Sequence, residues 1–167
     1  MVCEDGGNQV NNLCISIAGN NNTIYIGQNN YVKDLTLVIE EDNNEICIGD
    51  NNSFSGNMHI AALEGTTIKI GNDCLFASNI SVRTSDSHVV LDATTGERIN
   101  NAKDIIIRDR VWIGQNVTVL KDTVIPEDSV IGVGSIVNKR FLEGNCILAG
   151  APAKVVKRNI KWSYERH

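Results

Sequence analysis

The chain has 167 residues, 42% of them hydrophobic and 21% charged, a composition that suits one globular domain. Fifteen basic against 20 acidic residues leave a net charge of −5, which argues against a nucleic-acid or general membrane-surface role. No run of 18 apolar residues is present, so no membrane-spanning helix is expected.

The N-terminal stretch MVCEDGGNQ is acidic and polar and lacks the pattern of a signal peptide. Five cysteines (Cys3, Cys14, Cys47, Cys74, Cys146) are an odd number with no paired spacing. They read as reduced thiols of a cytoplasmic protein, packed rather than reactive. From Ile17 the chain repeats itself. Ile17-AGNNNT-Ile24-Tyr-Ile26-Gly27 aligns with Ile39-EEDNNE-Ile46-Cys-Ile48-Gly49 and with Ala61-ALEGTT-Ile68-Lys-Ile70-Gly71. Matching positions lie 22 apart. NNNT, DNNE and EGTT are rich in residues that accept turns and left-handed backbone, so these corners read as structural. His59 precedes a core Ile and is expected to point outward from a strand.

The next step is irregular. Ile105-Ile106-Ile107 matches Ile68-Lys69-Ile70 at an offset of 37, which is 15 more than the earlier 22. The extra residues fall between Val82 and Asp104, in RTSDSHVVLDATTGERINNAK. An insertion thrown out of a regular array is where function concentrates. This one carries His88 among Ser85, Asp86 and Ser87. Asp86 and Asp92 are both candidates to orient its imidazole. Arg98 and Asn100 return the loop and either contact substrate or cap the turn. Asn79, just ahead of the loop, either reaches an acceptor pocket or serves a corner.

From Ile107 to Phe141 the period is six, through IRDRVW, IGQNVT, VLKDTV, IPEDSV, IGVGSI and VNKRF. Each frame opens on Ile or Val, a period that fits neither a helix nor one long strand. A repeat this short predicts an all-β parallel β-helix, with the opening residues stacked in its bore. Place five holds small or branched residues suited to a bend. Gly114 and Gly132, at place two, predict backbone outside the usual β region. Trp112, at place six, should point outward and needs a partner. After Phe141 the frame is lost. Lys154, Lys157, Arg158, Lys161 and Arg166 make the end locally basic, and residues 149–167 are expected as a short helix or an extended tail.

SDSH at Ser85, VWIG at Val111–Gly114 and AGAPAKVVKR from Ala149 together resemble the hexapeptide-repeat acyltransferases. The likeness is greatest to the sugar and polysaccharide O-acetyltransferases, in the neighbourhood of galactoside, maltose and capsule enzymes. The resemblance implies a left-handed β-helix of three sides and 18 residues per coil. The hand comes from the resemblance alone, since parallel crossovers ordinarily favour the right-handed form. The period of 22 then reads as a coil with about four extra residues at one corner. One domain follows, with coils over about 12–148, an inserted active-site loop at 83–104 and the tail.

By the same resemblance, the protein moves an acetyl group from acetyl-CoA to a hydroxyl of a sugar or bacterial surface glycan. His88 is the matching general base, and Trp112 lines the site near its loop or packs on a neighbour. Pantetheine lies along the later coils, with Gln115, Val133, Asn138 and Lys139 as matching positions. Lys154 and Lys157 match basic positions near the CoA phosphates. Asn79, Arg98 and Asn100 are the substrate-side candidates. The implied assembly is a homotrimer with sites between subunits, in the cytoplasm. Two departures touch the CoA register: Val137-Asn138-Lys139-Arg140 stands for the usual Val-Thr-Lys-Asp, and one extra residue sits before Gly150.

The chemistry supports the histidine independently. A sugar hydroxyl is a weak nucleophile at neutral pH, and an imidazole with a pKa of about 6.5 can take its proton. N-transfer to an amino or nucleotide sugar is the main alternative. A non-catalytic scaffold or a metal hydratase is a weaker one. The hydratase needs three converging histidines, and only His59, His88 and His167 exist, with no close pair, so no metal is expected.

Overall fold

The computed structural model describes residues 6–165 fully and Val2–Cys3 by backbone. Arg166 and His167 lie outside the described residues, as does the Cys3 side chain. The chain winds into a three-sided parallel solenoid. Its first face stacks Val2–Cys3, Thr23–Ile26, Glu45–Ile48, Thr67–Ile70, Ile105–Ile107 and Thr123–Ile125. Pairing therefore begins ahead of residue 12. The second face stacks Gln9–Val10, Tyr31–Val32, the starts of Ser53–Leu63 and Leu75–Arg83, then Trp112–Ile113, Val130–Ile131 and Ile147–Gly150. The third stacks Leu13–Ile17, Leu35–Glu40, the ends of the same two long strands, Thr118–Leu120 and Ile136–Val137.

The bore is filled by the repeat itself. Ile26, Ile48, Ile70, Ile107 and Ile125 follow one another in register and are at most 4% exposed. Each such side chain contributes roughly 1.5–3 kcal/mol by leaving water. On the second face Phe54 stacks on Phe76, with ring centres 4.8 Å apart. Place five of the hexad (Val111, Val117, Thr123, Ser129, Ser135, Phe141) is buried as well. All but Phe141 are small or β-branched, which suits side chains that turn into the narrow corners of the bore.

The glycine expectation needs correcting. Left-handed backbone falls at place four, on Arg110, Asn116, Asp122, Asp128 and Gly134. Gly114 and Gly132 are not among the left-handed residues; they are glycine because the next coil lies too close. A Cβ on Gly114 would stand 2.8 Å from the Ile131 carbonyl oxygen, and one on Gly132 would stand 2.9 Å from the Ala149 Cβ.

The corners NNNT, DNNE and EGTT are structural, as expected: Asn44 N–H donates to Asn22 Oδ1 at 2.8 Å, Thr66 N–H to Asn44 Oδ1 at 3.0 Å, and Asn44 Nδ2 to the Glu40 carbonyl at 2.8 Å. A second asparagine ladder runs along the corner between the first and second faces. Asn30, Asn52 and Cys74 each donate a backbone N–H to the side-chain oxygen of Asn8, Asn30 and Asn52 respectively. Each amide Nδ2 in turn donates to Gly27, Gly49 or Gly71. This ladder satisfies corner backbone that has no strand partner. The extra residues of the longer coils lie between the third and first faces.

The register Ile68↔Ile105 and Val82↔Val119 carries the offset of 37 across the insertion as expected. No helix forms among the described residues. The C-terminal segment takes the extended alternative. Ala153–Lys157 folds back antiparallel on Ile147–Gly150 and closes that edge of the sheet. Trp162 then packs on the second face, its Nε1 donating to the Arg110 carbonyl at 2.8 Å, and Tyr164 Oη donates to the Asp73 carbonyl at 2.5 Å.

Candidate active site

The insertion leaves the third face after Val82 and rejoins the solenoid before Ile105. Both ends are pinned. Thr84 is buried, accepts the Leu63 N–H at 3.0 Å through Oγ1, and receives Lys103 N–H on its carbonyl at 3.1 Å. Between them the chain forms a short hairpin, in which Ile99 N–H donates to the Val90 carbonyl and Asp92 N–H to Glu97. Asp92 closes the tip, accepting from the N–H groups of Thr94 and Thr95.

Asn100 is the brace at the centre. Its Oδ1 accepts the Val90 N–H at 2.8 Å, and its Nδ2 donates to Asp86 Oδ2 at 2.9 Å and to the His88 carbonyl at 2.8 Å. Ser87 sits in left-handed backbone at φ 65°, held by its N–H on Ser85 Oγ. His88 follows that bend and is exposed. Among the described residues no side chain hydrogen-bonds its imidazole.

Two ion pairs fasten the hairpin to the coils. Arg98 grips Glu64 with both terminal nitrogens, at 2.6 and 2.9 Å. Arg98 holds the Glu64 carboxyl below the usual range, helped by a hydrogen bond from Ser85. Lys121 Nζ meets Asp86 Oδ2 at 2.5 Å and the Asn100 carbonyl at 2.8 Å. The Lys121 hydrogen bond, then that of Asn100, lowers the Asp86 pKa.

These partners correct one expectation. Asp86 is committed to Lys121 and Asn100, and Asp92 to its own turn, so neither carboxylate orients the imidazole. Arg98 and Asn100 are occupied inside the hairpin. Asn79 takes the corner role, accepting from Asn57 and donating to Asn116.

A groove of about 360 Å³ runs beside the hairpin, lined by Asp86, Ile99, Lys103, Leu120, Lys121 and Asn138 among others. Lys139 shares this corner, its Nζ 5.1 Å from the Phe141 ring centre. The other predicted CoA residues lie elsewhere. Gln115 and Val133 occupy the corner between second and third faces, and Lys154 and Lys157 lie on the final strand. Trp112 also stands on the second face, away from the insertion. It packs against Trp162 with ring centres 6.1 Å apart, beside a hollow of about 440 Å³. Within one chain, Trp112 and His88 are not brought together. A larger hollow of about 520 Å³ on the first face, lined by Lys69, Ile106, Arg108 and Glu127, holds none of the predicted site residues.

Lys121 and Glu64 were not foreseen. The offset of 37 contains Lys121, since it sets that residue beside Thr84 at the base of the loop.

No protein-family profile matches the chain. Among solved structures, the polysialic acid O-acetyltransferase OatWY superposes with a TM-score of 0.78 at 32% identity, over 96% of this chain and 92% of that one. The chain belongs to the hexapeptide-repeat acyltransferases, in their sugar and polysaccharide O-acetyltransferase subgroup. The coils accordingly wind left-handed. The polysialic-acid-specific acetyltransferase NeuO superposes at a TM-score of 0.64 and 31% identity, over 95% of this chain and 88% of that one. The polysialic acid O-acetyltransferase of Escherichia coli O1:K1 is 40% identical over 84 residues, half of this chain and 27% of that protein. The chain thus matches about a quarter of that relative's length.

Proposed function

We propose that this protein transfers the acetyl group of acetyl-CoA to a hydroxyl of an acidic surface glycan, polysialic acid or a close chemical relative, with His88 as general base. The observation that carries the reading is the exposed imidazole on the hairpin. Its backbone is fixed by Asn100 while its ring is left without a hydrogen-bond partner among the described residues. The relatives named as polysialic acid O-acetyltransferases support hydroxyl over amine transfer and point to the acceptor class.

The acceptor oxygen attacks the thioester carbonyl carbon while an imidazole nitrogen of His88 takes the hydroxyl proton. The tetrahedral oxyanion collapses, the C–S bond breaks, and the imidazolium returns the proton to the departing thiolate. The products are an acetyl ester and free CoA. General base catalysis of this kind is worth roughly 100- to 10,000-fold. The remainder comes from holding both substrates together and stabilising the oxyanion.

A homotrimer accounts for the separation of the predicted residues. Val89, Val90, Leu91 and Ile99 are exposed apolar side chains on the hairpin and await a covering surface. A neighbouring copy would bring its second face, with Trp112, to His88. Its Gln115, Val133, Lys154 and Lys157 would face Asn138 and Lys139 across a CoA cleft. This reading places the enzyme in the cytoplasm, where acetyl-CoA is made and thiols stay reduced.

The test is thiol release from acetyl-CoA in the presence of a panel of acceptors. Turnover with polysialic acid above that with neutral sugars and amino sugars is expected. Turnover with amino sugars alone would replace the reading with N-transfer.

A further inference from the structure

We propose that Arg83 is the acceptor-recognition residue of this site, its guanidinium binding a carboxylate of the glycan; the inference rests on the acidic acceptor proposed above. Arg83 is the last residue of the strand Leu75–Arg83, on the outer side of the third face, where the insertion begins. Its Nη2 donates to Ser87 Oγ at 3.1 Å, the residue before His88. Its Nε is buried and has no hydrogen-bond partner. Among the described residues it forms no ion pair, whereas the acids around it are taken. Glu64 belongs to Arg98, Asp86 to Lys121, and Asp122 to Lys103 and Arg140.

The Asp86 charge reaches this guanidinium at the foot of the histidine loop without pairing with it, and the terminal nitrogens, rather than the buried Nε, are the donors suited to an incoming anion. The planar guanidinium fork matches a carboxylate with two parallel hydrogen bonds. The register neighbour of Arg83, Leu120, lines the groove beside the hairpin. Arg83 and His88 lie outside the lining of that groove; an acceptor extending from it across the base of the loop would present a carboxylate to Arg83 and a hydroxyl of the same or an adjoining sugar to His88. Every residue of a polysialic acid chain carries such a carboxylate, so the contact would select acidic acceptors and set their register against the base.

The experiment compares acetyl-CoA turnover on polysialic acid and on its carboxyl-methyl ester, for the wild-type protein, Arg83→Gln and Arg83→Lys. The wild type is expected to lose at least tenfold in kcat/KM on the ester. Arg83→Gln should lose a similar factor on the acid, with KM for acetyl-CoA unchanged, and little more on the ester. Arg83→Lys should recover part of the loss. Equal wild-type rates on acid and ester would overturn the proposal without any variant being folded. An Arg83→Gln that loses equally on both acceptors, or changes oligomeric state by light scattering, would show that Arg83 only shapes the loop or meets another subunit. A wild type inactive on every acidic glycan would instead sink the acceptor assignment on which the inference stands.

Discussion

The candidate site is built from residues that hold the His88 loop rather than touch the imidazole. Asn100 and Lys121 converge on Asp86, and Asn100 also carries the backbone of His88. The Asp86 carboxyl is lowered, first by its Lys121 hydrogen bond and then by that of Asn100. Its contribution is therefore present above the ordinary carboxylate pKa and lost as pH falls through the lowered value. Nearly half of the Asp86 side chain is exposed, at 47%, which limits the pair to about 1 kcal/mol. Protection of the Val90 amide against hydrogen exchange should be steady from neutral pH down to about 5, then fall by up to about fivefold in more acidic solution. Asp86→Asn should flatten that acid dependence. Protection that falls equally in the variant would deny the pair a role. Cys47 and Cys74 lie at the opposite extreme: burial raises their thiols to about 11 and 12, so neither offers a thiolate for chemistry near neutrality.

At the scale of the coil, the corners matter as much as the bore. Asn52 is 1% exposed and joins three coils through Asn30, Gly71 and Cys74. Asn52→Ala leaves the buried Cys74 N–H and the Gly71 carbonyl without their partners, at a cost of about 1–3 kcal/mol per stranded group. The melting temperature should drop by several degrees in calorimetry, while Asn11→Ala, at an exposed position with ordinary backbone, should leave it nearly unchanged. Much of this element was legible in the sequence. The hexad openings Ile107 through Val137 all face inward, and the offset of 37 set the true register across the insertion. The glycines were misread because their cause is an approach between coils, which a single coil's own backbone preference does not contain. Lys121 went unseen because its meaning depends on where the excised loop re-enters, although the same offset encoded it.

For the whole molecule, the sequence told which residues point outward but not which outward surfaces meet. Trp112 and His88 lie on different faces, and no periodicity within one chain can join them. Light scattering should return three times the chain mass, and Leu91→Asp, on the exposed hairpin, should shift the population toward monomer and lower turnover together. A monomeric, fully active wild type would contradict the shared cleft. The central claim, that the His88 imidazole moves the proton, is tested most directly by the turnover of His88→Ala with acetyl-CoA and polysialic acid. A loss of roughly 100- to 10,000-fold with unchanged melting temperature and trimer mass is the predicted result; turnover equal to that of the wild type would contradict it.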